Sequence, residues 1–297
     1  PCKRLDCALD MCKSDGLYRI IDLHGAVGSQ NGSDHSGDTS RTNLYADTEL
    51  GEAYREKTAE LWTLVAEHFA GEGNVAGYDL LNEPTRASGT KQWDYYDVLY
   101  KAVREKDADH MIFIESTWET YHLPSPYDYG WENVVYEYHH YNWDYNGVAN
   151  RSFYSGKRRD NDLMAHGVPV LIGEFNAWGD SRRGTGSDQT DLEANAGVLE
   201  FYNGEGWHWT TWTYKVVGTF IDSNWGIFNA STFAKDVDKV DPAEDSYEDI
   251  LAAWSDVDTA AHFTLYEDFA DIVSAAASAP FGEGAPEEGY AILLTAE

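Results

Sequence analysis

The chain has 297 residues, 42% of them hydrophobic, enough for a large core and for one α/β barrel of ordinary size. Lys and Arg number 21 against 52 Asp and Glu, a formal net charge of −31, which repels phosphate backbones and anionic surfaces and argues against nucleic acid, anionic membranes and acidic polysaccharides as partners. A neutral substrate is left as the simplest partner. Aromatic residues reach 14%, with 11 Trp and 20 Tyr, which suits either large core side chains or stacking platforms for a flat apolar ligand face.

Along the chain, the segment PCKRLDCALDMCKSDG reads as a first helix and holds all three cysteines, Cys2, Cys7 and Cys12. Residues five apart on a helix sit about 140° from each other, so no disulfide within it is expected, nor does the spacing fit a zinc site. Leu17 to His24 (LYRIIDLH) is a short strand candidate. Ala53 to Ala70 carries Tyr54, Thr58, Leu61, Trp62, Val65 and Phe69 at helical spacing. Val75 to Leu81 reads as a strand, Trp93 to Lys106 as a helix, and Met111 to Ile114 and Asn133 to Tyr141 as strands. A basic helical piece is expected around Phe153 to His166, then a strand at Val168 to Ile172 and a helix at Asp191 to Tyr202. Trp207 to Tyr214 (WHWTTWTY) reads as a strand and Ser246 to Trp254 as a helix. From Ser274 onward the composition turns small, acidic and Pro/Gly-bearing, so 274–297 is expected to be a weakly ordered extension of a single domain over 1–273. No apolar run approaches the ~18 residues of a membrane-spanning helix, and no secretory signal pattern occurs.

Strands that alternate with helices imply βαβ units and a parallel sheet. None of the six strands turns into a helix through G-x-G-x-x-G, which argues against a dinucleotide fold. Polar residues gather instead at the C-terminal strand ends: His24, Asn82 with Glu83, Glu115, His139 with Tyr141, Glu174, and Trp212. In a β/α barrel that rim is where side chains from different strands converge on a substrate. Two of these residues, Glu83 and Glu174, are strand-end carboxyls. Cleavage of a glycosidic bond needs such a pair, one protonated to assist the leaving oxygen and one ionised. For either glutamate taken singly, a salt bridge to a neighbouring loop is the plain alternative.

NEP after GYDLL, GEF after VPVLI, HHY on the strand between them and LHG on the first strand together resemble family 5 glycoside hydrolases. The stretch DLHGAVGSQNG, Asp22 to Gly32, is most similar to the exo-β-1,3-glucanase branch. The resemblance runs from about Leu5 to Trp254. It implies a (β/α)8 barrel, a retaining mechanism without cofactor or metal, and a β-glucan or oligosaccharide substrate, with exo-β-1,3-glucosidase action first and endo-β-1,4-glucanase action second. It implies Glu83 as general acid/base, Glu174 as nucleophile, and Asn82 as the amide holding the sugar 2-hydroxyl. His139 would orient the acid/base, Tyr141 would hydrogen-bond the nucleophile, His24 would contact the sugar, and Trp212 would form the floor beneath it. Trp143, close behind H-x-Y, is a further subsite candidate. A polysaccharide substrate would favour an extracellular setting.

Other residues carry weaker readings. Strand alternation turns His140 away from the rim, toward a place in the core or behind the residues that meet substrate. Glu115 is open to substrate contact or to a structural hydrogen bond. Trp118, Tyr121, Tyr127, Tyr129 and Trp131 line subsites or pack their loop. Asp34, His35 and Asp38 read as a solvated Gly-rich loop in preference to a metal site. LYRIIDLH matches the third strand of the family barrel, so two strands, one helix and the arginine that braces the nucleophile are expected to be missing from this sequence. Mid-strand Arg19 cannot replace that arginine. A catalytically impaired barrel fragment and a non-catalytic carbohydrate-binding protein therefore stand beside the hydrolase as alternatives.

Overall fold

The computed structural model describes residues 3–39, 43–85, 89–116, 123–141, 167–176, 188–216, 226–230, 241, 244–254 and 262–282. The chain divides into two compact units. The first holds the described residues up to His140 together with 167–173, and the second holds Tyr141, 174–176 and the described residues beyond.

In the first unit, α1 (Lys3–Ser14) leads to β1 (Arg19–Asp22), α2 (Glu49–Phe69), β2 (Val75–Asp79), α3 (Thr90–Arg104), β3 (Met111–Glu115), the short α4 (Pro126–Tyr129), β4 (Val134–Tyr141) and the start of β5 (Val170–Asn176). These strands follow the sheet order β1-β2-β3-β4-β5, and β6 (His208–Trp209) belongs to the second unit. Strands β1 to β4 pair in parallel, with Asp22 opposite Asp79, Asp79 opposite Phe113 and Glu115 opposite Glu137.

Helix α2 starts where the Thr48 hydroxyl accepts the Gly51 N–H at 3.1 Å, and Glu49 and Glu52 favour the positive end of the helix dipole. Its buried stripe is Thr58, Trp62, Val65, Ala66 and Phe69. Trp62 gives its indole N–H to Leu80 O at 3.1 Å, so the largest ring in the stripe is buried without an unmet donor. Helix α3 buries Tyr95, Tyr96, Leu99, Tyr100 and Val103. These stripes and the β2, β3 and β4 side chains form one core. At Gly77 a Cβ would stand 2.3 Å from Met111 O, so only glycine lets β2 and β3 approach at that point.

In the second unit, α5 (Asp188–Glu205) precedes β6, and β7 (Lys215–Val216), β8 (Phe228–Ala230) and β9 (Phe263–Leu265) form a separate three-stranded sheet. Helices α6 (Tyr247–Trp254) and α7 (Glu267–Ala277) complete it. Asn203 ties α5 to α7 by donating to Ala276 O at 2.8 Å, while its own side-chain oxygen accepts from the Trp209 indole at 2.9 Å.

The expected strand at Trp207 to Tyr214 is shorter than its alternation suggests. The ladder stops at Trp209, and beyond it the Trp212 N–H donates to Phe175 O at 3.1 Å. The first residues of the extension expected from Ser274 are helical. Residues 274–277 close α7, whose Phe269 and Val273 are buried, because alanine is the best helix former once an apolar stripe anchors the segment. The basic piece at 153–166 lies outside the described residues. No helix among the described residues is long and apolar enough to cross a membrane.

Candidate active site

In the first unit the apolar run of β2 continues through Leu80 and Leu81, both fully buried, and then turns. Asn82 is buried, and its N–H reaches Leu23 O at 3.2 Å. Glu83 takes φ +46°, a left-handed conformation that costs a non-glycine residue about 1–3 kcal/mol. Its own N–H donates to Glu115 Oε2 at 2.5 Å.

The Glu83 carboxyl is 12% exposed and has an imidazole on each oxygen. His139 Nδ1 lies 2.8 Å from Oε1, and His35 Nε2 lies 3.1 Å from Oε2. His35 meets His24 edge to face at 5.6 Å, and His24 Nδ1 lies 2.9 Å from Asp22 Oδ2. The fully buried Gln30 fastens this arrangement. Its amide donates to Asn82 O at 2.7 Å and to His24 O at 2.9 Å, and its oxygen accepts the Ala26 N–H at 3.0 Å.

The first unit therefore brings His24, Asn82, Glu83 and His139 together. His35 is the correction. Its loop was read as solvated, yet its ring sits on Glu83, while Asp34 beside it is exposed. Gln30 was missed altogether. The only signal for it was its place inside GSQNG.

Burial pushes the Glu83 carboxyl up, but the His139 hydrogen bond and charge, with the charges of His35 and His24, outweigh it and hold the group below the usual glutamate range. The charges act only while the imidazoles carry protons, whereas a hydrogen bond from His139 needs only an N–H on Nδ1. Beneath it, burial holds Glu115 well above the carboxylate range despite the nearby His139, and Glu137 and Glu83 add to the shift. Asp79 is raised by burial first and then by Glu137, Asp22 and Glu115.

In the second unit Tyr141 donates its phenol O–H to Glu174 Oε2 at 2.7 Å. Phe175 next to Glu174 packs edge-on against Tyr202 and Trp209, which fixes the backbone that carries the carboxylate. Trp212 is half-buried, and its peptide bond to Thr213 is cis.

Several weaker readings resolve. His140 is buried against Tyr138, in keeping with a core role. Glu115 is fully buried, which removes substrate contact and leaves the hydrogen-bonding role. Tyr129 and Trp131 stack at 4.8 Å and bond to Asp94 and Asp97 of α3, so they pack their loop. Trp143, Trp118 and Tyr121 lie outside the described residues.

A family model described as cellulase, glycosyl hydrolase family 5, matches residues 1–217. Among curated proteins, a β-xylosidase of Phanerodontia chrysosporium is 29% identical over 241 residues, covering 73% of this chain and 48% of that protein. A probable glucan 1,3-β-glucosidase A of Neosartorya fischeri is 28% identical over 213 residues, covering 68% of this chain and 47% of that protein. The chain thus spans about half the length of these curated relatives. Among solved structures, endo-glycoceramidase II from Rhodococcus sp. superposes with a TM-score of 0.60 at 18% identity, covering 77% of this chain and 62% of that one. That likeness establishes a fold of the β/α-barrel type, in line with the parallel strands and intervening helices. With 217 of its 297 residues matched, the chain belongs to glycosyl hydrolase family 5.

Proposed function

We propose that this chain carries the catalytic residues of a retaining β-glucan hydrolase. The observation that supports it most is the Glu83 carboxyl held between two imidazoles at the end of a buried strand. Glu174, on a neighbouring phenol, matches the second carboxyl that the chemistry requires. In the first step Glu174 attacks the anomeric carbon while Glu83 gives its proton to the departing oxygen, so the C–O bond breaks and a glycosyl ester forms. In the second step Glu83, now ionised, takes a proton from water, whose oxygen attacks the same carbon and releases Glu174. Retention asks for carboxyls about 5–5.5 Å apart. Tyr141 steadies the ionised nucleophile, His139 and His35 manage the charge of the acid/base, and Trp212 offers an aromatic face to the apolar side of a pyranose.

The substrate class is a neutral β-glucan, in keeping with the net charge. The names of the glucan 1,3-β-glucosidase relatives favour β-1,3 linkages cleaved from a chain end, and endo-acting β-1,4 cleavage ranks second.

The test is turnover of β-1,3- and β-1,4-linked glucooligosaccharides, followed by NMR at the anomeric centre of the first product. We expect the β anomer, and loss of more than about 10³-fold in Glu174→Gln, since the covalent step is removed. An α product would overturn the mechanism. Calorimetric binding of the sugars without hydrolysis would assign the chain to a carbohydrate-binding role instead.

A further inference from the structure

Glu115 ends β3 and touches no solvent, yet it is the residue on which the Glu83 backbone rests. Three observations bear on its task. Glu83 lies at φ +46°, where an L side chain is held only if its surroundings over-determine it. The Glu83 N–H donates to Glu115 Oε2 at 2.5 Å, so the strained residue is hydrogen-bonded through its main chain to this carboxyl. The other oxygen, Glu115 Oε1, has no hydrogen-bond partner among the described residues and lies 3.8 Å from Nε2 of His139, the ring whose Nδ1 sits 2.8 Å from Glu83 Oε1. Glu115 is itself fixed, because the buried Tyr96 hydroxyl donates to its main-chain oxygen at 2.8 Å.

We propose that Glu115 is a positioning residue for the acid/base: one oxygen locks the left-handed backbone of Glu83, and the other faces the back of His139, so a single buried carboxyl sets both the aim of the Glu83 carboxyl and the ring that contacts it. This rests on the reading of Glu83 as acid/base.

The locking role needs an acceptor and does not need a charge. Burial favours the protonated form of Glu115, and either form offers an oxygen to the Glu83 N–H. An amide has the same shape, with a carbonyl for that N–H. Glutamine should therefore replace Glu115, whereas methionine, of similar volume but without an acceptor, should not.

The experiment compares Glu115→Gln, Glu115→Met and Glu83→Ala on phenyl and 2,4-dinitrophenyl β-glucosides, with the thermal midpoint of each variant measured alongside. Phenolate needs protonation as it leaves, and dinitrophenolate does not. In kcat/KM, which reports the first step alone, Glu115→Met should lose on the order of 10²-fold on the phenyl substrate, the scale expected for a misplaced catalytic group, with less than about threefold lost on the activated one. Glu115→Gln should stay within about threefold of the parent on both. Equal losses on both substrates in a stable Glu115→Met variant would overturn the proposal. A Glu83→Ala variant with no such split would overturn the acid/base reading and leave the contact to the second measurement. That measurement needs no turnover. The Glu83 amide proton in a sample labelled at glutamate nitrogen should resonate far downfield in the parent and in Glu115→Gln, and return to the ordinary range in Glu115→Met. An unchanged shift in the methionine variant sinks the proposal whatever the activity.

Discussion

At the scale of single residues, the role proposed for Glu83 depends on how one carboxyl divides its time between two protonation states. Each oxygen of Glu83 faces an imidazole from a different part of the chain, His139 from β4 and His35 from the loop after β1. Every protonated ring near the carboxyl favours its ionised form and so lowers its pKa, while burial works the other way. Removing His35 deletes one lowering contribution and leaves burial in place. The Glu83 pKa should therefore rise in His35→Ala, and the form that can donate a proton should persist to higher pH. For a substrate with a poor leaving group, the alkaline limb of kcat/KM should move upward in pH by about 0.5–1, a shift within the range that one nearby charge produces. A limb that moves downward, or a loss of rate with the profile unmoved, would show that His35 only packs the loop.

At the scale of elements, the limits of legibility have identifiable causes. The strands at Val75, Met111 and Val134 were readable because helices cover one face and the sheet interior the other, which leaves nearly continuous apolar runs. Asn82, Glu83, His139 and Glu174 were readable because a polar residue at the end of such a run interrupts a pattern. His35 and Gln30 interrupt nothing. They sit in a loop with no period, and their partners Glu83 and Asn82 lie 48 and 52 residues away. Glu115 showed its place at a strand end but not its depth, because alternation says which side a residue faces and not how much lies above it. Gly173 precedes Glu174 in GEF. The structure gives it a task, since a Cβ there would stand 1.6 Å from Glu137 Oε1. Glu137 is buried and cannot swing into water. Gly173→Ala must push it aside, so the variant should lose about 1–3 kcal/mol by overpacking. Urea unfolding should show this as a lower midpoint with an unchanged slope. A midpoint equal to the parent's would mean that the β4 carboxyl has room to yield.

At the scale of the whole chain, two groups of carboxyls act in opposite pH ranges. Asp107 accepts the backbone N–H groups of Asp109 and His110 and the hydroxyl of Tyr78, and it contacts the His110 ring; these contacts outweigh its burial and hold it below the usual range. Glu83 is lowered as well. The stability that such groups contribute is present above about pH 4, the ordinary carboxyl value, and disappears as pH falls through their folded-state values. Asp79 and Glu115 behave in the opposite sense. Burial raises both, so the folded chain holds protons there that the unfolded chain has already released. Stability then declines as pH climbs from about 4 toward their folded-state values. The formal charge of −31 works in the same direction, because every further ionisation adds to self-repulsion. The thermal midpoint should therefore be highest at mildly acidic pH and fall steadily toward pH 8. Replacing Asp79 by Asn imitates its protonated form and removes one of the two retained protons, so the decline should flatten in that variant. Salt separates the two causes. At 0.15 M the screening length is about 8 Å, which weakens repulsion between surface charges and leaves the buried carboxyls almost untouched. Added salt should raise the midpoint at pH 8 in parent and variant alike, while the difference in slope between them survives. A slope that salt abolishes, or that Asp79→Asn leaves unchanged, would place the alkaline instability on the surface charge alone.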